Sequence, residues 1–256
     1  MYRIGFVGIP GSGKSYTARA FSSVFKYEDK FLITEVIAEY ARSYLAKYGP
    51  LETIWEQYKI LDKQLEKEER LSPKTELLIT DSPLQLAFQY SLDLRRPDNV
   101  KDAMVLDDIF HKINSLNAPP RYDIIFHLPP VIECVNDGVR PAQHLDNEWR
   151  RQADINIRYI CQTLFPPKKW VEVTPVSIED RVKFCCDELT NYIKLDKISA
   201  NNRYAAAAES LQKNIKSMYK KLDLNDVLKF SSVIEINGKT AEQMEAEQKT
   251  QENPLQ

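Results

Sequence analysis

Eight residues near the start of the chain, Gly8-Ile9-Pro10-Gly11-Ser12-Gly13-Lys14-Ser15, have the composition and spacing G-x-x-x-x-G-K-[ST]. Such a loop has little side chain to pack and mostly backbone N–H groups to offer, which suits phosphate. Its glycines let successive N–H groups turn inward around an anion with no Cβ in the way. A strand-like run precedes the loop and a helical one begins at Lys14, so the positive end of a helix dipole faces the same anion. Lys14 then reaches the β- and γ-phosphates of a nucleoside triphosphate, and Ser15 offers a hydroxyl to Mg²⁺. The spacing predicts a triphosphate site built from Gly8, Pro10, Gly11, Ser12, Gly13, Lys14 and Ser15.

Three further groups of residues could act on that triphosphate. In LLITDSP, Asp81 ends a strand and could hold the magnesium ion or take a proton from an attacking hydroxyl. Capping of a helix that starts at Pro83 would explain the same aspartate. In FLITEVIAEYARSYL, Glu35 ends a second strand and is placed to act as base toward an acceptor hydroxyl. Glu39 and Arg42 follow at helical spacing, where Arg42 either holds a polar acceptor or pairs with Glu39 on the surface. In NDGVRPAQHLDNEWRRQADINIR, Arg140 lies in a loop beside Gly138, suited to a lid that closes over the γ-phosphate, and Arg150 extends the nucleotide contacts. Arg151 and Arg158 share that helix with Asp146, Glu148 and Asp154, which suits a solvated face for Arg158.

The elements that position these residues alternate. Strands are expected at residues 2–8, 31–36, 75–81, 121–130 and 168–174. Helices are expected at 14–25, 38–49, 51–71, 83–92, 101–116, 148–164 and 177–189. Ile54, Tyr58, Leu61 and Leu65 give the long third helix one apolar face, and its other face reads as solvent-facing. Ser177 and Asp180 have capping-box spacing. Apolar strands alternating with helices indicate an α/β domain with a parallel sheet covered on both faces, ending near residue 193. Residues 194–256 lack this rhythm and read as a mainly helical C-terminal extension with a polar tail.

With 43% hydrophobic and 28% charged residues, the 256-residue chain can bury a core and solvate its surface. A net charge of −2 argues against a protein coated in nucleic acid. The four cysteines form no C-x-x-C pair, and the expectation is reduced, packed thiols. No cleavable leader and no bilayer-length apolar run is visible, so a cytoplasmic location off the membrane is expected.

Taken together, GIPGSGKS, TEVIAEYARSYL, ITDSP and DGVR followed by EWRRQAD resemble the P-loop kinases. They are most similar to the NadR-like group of ATPase or kinase domains, related to ribosylnicotinamide kinase and common in phage genomes. The resemblance covers about residues 1–193. It implies the three-layer P-loop NTPase sandwich with a five-stranded parallel sheet. It also implies ATP- and Mg²⁺-dependent phosphoryl transfer, in nucleotide metabolism, to a nucleoside, nucleotide or related small hydroxyl acceptor. One alternative is a phage-type kinase acting on a hydroxymethylated pyrimidine in DNA. The stretch Lys194 to Lys221 carries Lys194, Lys197, Arg203, Lys213, Lys216, Lys220 and Lys221 with Tyr204 and Tyr219, suited to phosphates and bases. A docked helix with a solvated basic face is the preferred account of it. A second alternative is a regulatory ATPase without a kinase acceptor.

Overall fold

The apolar run Tyr2–Val7 forms β1, the middle strand of a five-stranded, all-parallel sheet in the order β2-β3-β1-β4-β5. The computed structural model describes residues 1–28, 33–131 and 142–193. The other strands are β2 (Thr34–Ile37), β3 (Leu77–Thr80), β4 (Ile124–His127) and β5 (Lys169–Glu172). The helices are α1 (Lys14–Glu28), α2 (Tyr40–Tyr48), α3 (Ile54–Leu71), α4 (Gln85–Leu94), α5 (Val100–Leu116), α6 (Asn147–Tyr159) and α7 (Ile178–Ile193). A parallel sheet needs a crossover between successive strands, and these helices supply it, so both faces are covered.

Two cores result. On one face Ile4, Phe6, Phe21 and Phe126 pack with Val182, Cys185 and Leu189 of α7. Phe6 meets Phe21 at 5.4 Å and Phe126 at 5.2 Å between ring centroids. On the other face Val7 and Ile125 pack with Ile54 and Leu61 of α3, Leu86 of α4, Ile109 of α5 and Ile157 of α6. Cys161, Cys185 and Cys186 are buried.

Register brings the functional loops together. Ile4 pairs with Ile79 of β3 and Ile124 of β4, while Ile37 of β2 pairs with Thr80 of β3. The C-terminal ends of β2, β3 and β1 therefore lie side by side, and the loops after Ile37, Thr80 and Val7 leave the sheet at one edge.

Several boundaries move from their expected places. β2 ends at Ile37 rather than Val36, and α2 starts at Tyr40, which leaves Ala38 and Glu39 in the edge loop. α3 starts at Ile54 because Thr53 and Glu56 form a capping box, in which the Thr53 N–H donates to Glu56 Oε2 at 2.9 Å. The helix expected through Leu164 is α-helical to Tyr159 and finishes in a π turn, Ile160–Leu164. At α7 the Asp180 N–H donates to Ser177 Oγ at 3.1 Å, the cap that the spacing implied.

The polar face of α3 is not wholly solvated. Glu68 is buried, accepting from Tyr122 Oη at 2.8 Å and from Arg121 Nε at 2.9 Å. Its partners come from the segment leading into β4, which no pattern within α3 could signal. Among the described residues no helix is long and apolar enough to cross a membrane. The extension from residue 194 lies outside the described residues, and so does the basic stretch Lys194 to Lys221.

Candidate nucleotide and acceptor site

Gly8 through Gly13 span the gap between β1 and α1. At Gly8 an added Cβ would stand 2.6 Å from the Leu128 carbonyl oxygen, a backbone atom that cannot swing aside. The loop can therefore press against the end of β4 only as glycine. At Gly13 the backbone has φ of +87°, a conformation side chains disfavour, and α1 begins at the next residue. The Ser12 N–H donates to Ile9 O at 3.2 Å and the Thr17 N–H to Gly13 O at 3.0 Å. No acidic residue occupies the first turn of α1, so nothing there opposes an anion. Lys14 is 6% exposed and lies close enough to Asp81 for its charge to lower that carboxyl.

Asp81 follows β3 and is 2% exposed. Burial is the largest influence on its carboxyl and raises it, and the Glu39 charge raises it further. Lys14 works in the opposite direction, as do hydrogen bonds from the Ser15 hydroxyl and the Glu39 N–H. Its Oδ1 has no hydrogen-bond partner. Asp81 does not cap the next helix, because α4 starts only at Gln85 and has no side-chain cap. A buried carboxylate beside a P-loop hydroxyl, with one oxygen unpaired, fits an oxygen-ligated magnesium ion, which needs one or two carboxylates plus phosphate oxygens. Among the described residues no group of three or more His, Cys, Asp or Glu converges as a metal cluster.

Beside the loop opens a cavity of about 430 Å³. Lys14, Ser15 and Tyr16 form one wall, and Glu39, Arg42 and Leu45 form the second. Gln57 of α3, Tyr90 and Asp93 of α4, and Gln143 with His144 enclose the remainder. The His144 ring stacks on Trp149, with centroids 4.5 Å apart and planes at 28°. Asp93 opens onto the cavity, yet the protein around it removes enough water to push its carboxyl up to about 6. Gln89 offers a weak opposing contact at 3.4 Å.

Lys14, Ser15, Glu39 and Arg42 therefore share one cavity, and Asp81 sits behind Ser15. Glu35 is not part of it. It is the second residue of β2, paired in register with Leu78, and its partly exposed carboxylate faces Lys26 at 3.6 Å. The strand runs two residues past Glu35, so the carboxylate that reaches the edge is Glu39. Arg150 is 4% exposed on α6 and is not a cavity wall residue. Arg151 pairs with Glu148 at 2.7 Å, and Arg158 pairs with Asp154 and Glu172, as a charged helix face requires. Arg140 lies outside the described residues. Sequence reasoning missed Gln57, Tyr90 and Asp93, which look like ordinary helix residues until α3 and α4 are packed. The Gln89–Asp93 spacing carries no functional signal.

No curated protein sequence matches the chain. Among solved structures, a NadR protein in complex with NR superposes with a TM-score of 0.59 at 18% identity, over 77% of this chain. The match spans only 54% of that NadR chain. Thymidylate kinase from Candida albicans superposes with a TM-score of 0.51 at 15% identity, over 75% of this chain and 92% of the kinase. The fold is thus the α/β P-loop kinase fold, as the five-stranded parallel sheet and the glycine loop already indicated. The sequence profile of the AAA domain matches residues 3–181, which takes in the loop, the sheet and the start of α7, and the chain belongs to that family.

Proposed function

We propose that the protein is an ATP- and Mg²⁺-dependent phosphotransferase acting on a small hydroxyl acceptor of the nucleoside or nucleotide class. The observation that carries this reading is the shared cavity. Lys14 and Ser15 of the phosphate loop and the carboxylate of Glu39 line one space of about 430 Å³, roomy enough for an acceptor beside the triphosphate. A site meant only for ATP hydrolysis has no need of the α2, α3 and α4 walls. The kinase fold shared with a thymidylate kinase and with a NadR protein bound to NR supports the same class.

In this reading the loop N–H groups and Lys14 hold the triphosphate and balance charge on the transferring group. Ser15 and Asp81 would hold a magnesium ion, which would neutralise charge on the phosphate oxygens. Glu39 accepts the acceptor hydroxyl's proton as that oxygen attacks the γ-phosphorus. The new O–P bond forms as the bond to the β-phosphate oxygen breaks, releasing ADP. Arg42, Gln57 and Tyr90 orient the acceptor, and Arg140 is proposed as the residue that closes over the γ-phosphate. Residues 194–256 are proposed as an appendage to this catalytic domain.

The test offers labelled ATP with nucleosides, nucleotides, nicotinamide riboside and hydroxymethylated DNA. Transfer to a small acceptor supports the proposal. Transfer only to DNA favours the base-kinase reading, and acceptor-independent hydrolysis favours a regulatory ATPase.

A further inference from the structure

Arg181 is the largest fully buried side chain of the described residues, at 0% exposure. It sits in the first turn of α7, 169 residues from the loop it touches. Nε donates to the Pro175 carbonyl and Nη1 to the Ser12 carbonyl, both at 2.9 Å, while Nη2 has no partner. Among the described residues no carboxylate pairs with it. A buried guanidinium without a counter-ion is costly, and folds ordinarily pair it or replace it.

The partner it does have is informative. The Ser12 carbonyl belongs to the peptide whose N–H is that of Gly13, the last loop residue before α1. A charged donor on a carbonyl draws electrons toward the oxygen and makes the N–H of that same peptide a stronger donor. Arg181 thus acts on the phosphate side of the loop from behind. It also adds a full positive charge in a water-excluded position, where charge acts over longer range than at a surface.

We infer that Arg181 is a positioning residue of the phosphate loop whose uncompensated buried charge is balanced by the triphosphate that the loop binds. The inference rests on the reading of the loop as a triphosphate site. It makes α7 a functional part of the cradle and ties ligand binding to the docking of that helix.

The test measures binding of inorganic tripolyphosphate and the melting temperature, with and without it, in the full chain. Arg181→Gln keeps a donor for Ser12 but removes the charge; Arg181→Lys keeps the charge but loses the fork. Arg181→Gln is expected to weaken tripolyphosphate at least tenfold while the ligand-free melting temperature holds or rises. Arg181→Lys is expected to bind within about threefold of wild type. A residue that merely braces α7 gives the reverse: both variants melt lower without ligand and both bind as wild type, which overturns the inference. If Arg181→Gln does not fold, Arg181→Lys decides alone: binding within threefold with an unchanged ligand-free melting temperature supports the inference, and either a tenfold loss of binding or a lower ligand-free melting temperature overturns it. Wild-type protein that binds no tripolyphosphate rejects the triphosphate site itself and the inference with it. A normal wild type with the bracing pattern rejects the inference only.

Discussion

Glu39, two residues past the end of β2, meets Asp81, one residue past the end of neighbouring β3, at a single edge of the sheet. The Glu39 N–H donates to the Asp81 carboxylate, while the Glu39 charge raises it. The register Ile37–Thr80 forces this pairing, and the Asp81 N–H reaches Ile37 O at 3.3 Å. A like charge this near disfavours ionisation, which is why Glu39 raises the Asp81 carboxyl.

Asp81→Asn keeps the shape and removes the charge beside Ser15. Transfer should slow by more than tenfold with weaker Mg²⁺ dependence, and the circular dichroism spectrum should not change. Because Asp81 caps no helix, the variant should melt no lower than wild type. Near-normal turnover would remove Asp81 from the site.

Glu39→Gln and Glu35→Gln separate two candidates for the base. The first should lower kcat by about a hundredfold, in the range of general-base loss, with little change in ATP affinity. The second should leave turnover unchanged, since Glu35 faces Lys26. Steady-state kinetics on any accepted substrate decides between them, and equal losses would refute the assignment.

Lys14→Ala should abolish transfer and leave the unfolding midpoint within error. Asp81 loses a neighbouring positive charge in this variant but keeps its hydrogen bonds from the Ser15 hydroxyl and the Glu39 N–H, which hold the fold. Full activity in this variant would defeat the kinase reading.

Asp93 links the cavity to stability. Its folded value of about 6 lies above the ordinary 3.8, so its contribution is fully present below about 3.8 and is lost as pH rises through about 6. Asp93→Asn should remove that decline. After discounting for solvent at the cavity mouth, the gain at pH 7 is roughly 1 kcal/mol, with none at pH 3.5. Urea midpoints at the two pH values check this, and a gain of equal size at both would contradict the assignment.

Glu68→Ala should be the most destabilising of these substitutions. It leaves Arg121 and the Tyr122 hydroxyl without their shared buried partner, at a cost of about 3–5 kcal/mol. Chemical denaturation measures it. A loss under 1 kcal/mol would show that Arg121 is satisfied by Glu69 alone, which it already contacts at 2.6 Å.

The phosphate loop, the alternation of strands and helices, and Asp81 at a strand end were all legible in the chain itself. Each rests on local physics: a glycine spacing, a hydrophobic period, a strand length. What lay beyond reach depended on distance in sequence. Pairing with β3 carries β2 on to Ile37, so Glu35 lies within the strand and the carboxylate at the edge is Glu39, because strand ends are set by pairing and not by the strand's own composition. Glu68 looked solvated until Arg121 and Tyr122 arrived from 53 and 54 residues away. Arg181 looked like one more charge on an amphipathic helix until α7 docked against the phosphate loop. Sequence alone determined that this chain sets a glycine-rich G-x-x-x-x-G-K-S loop on an α/β sheet. Tertiary structure decided which carboxylate shares the cavity and which buried cation stands behind it, because burial and long-range hydrogen bonds exist only once the layers are packed.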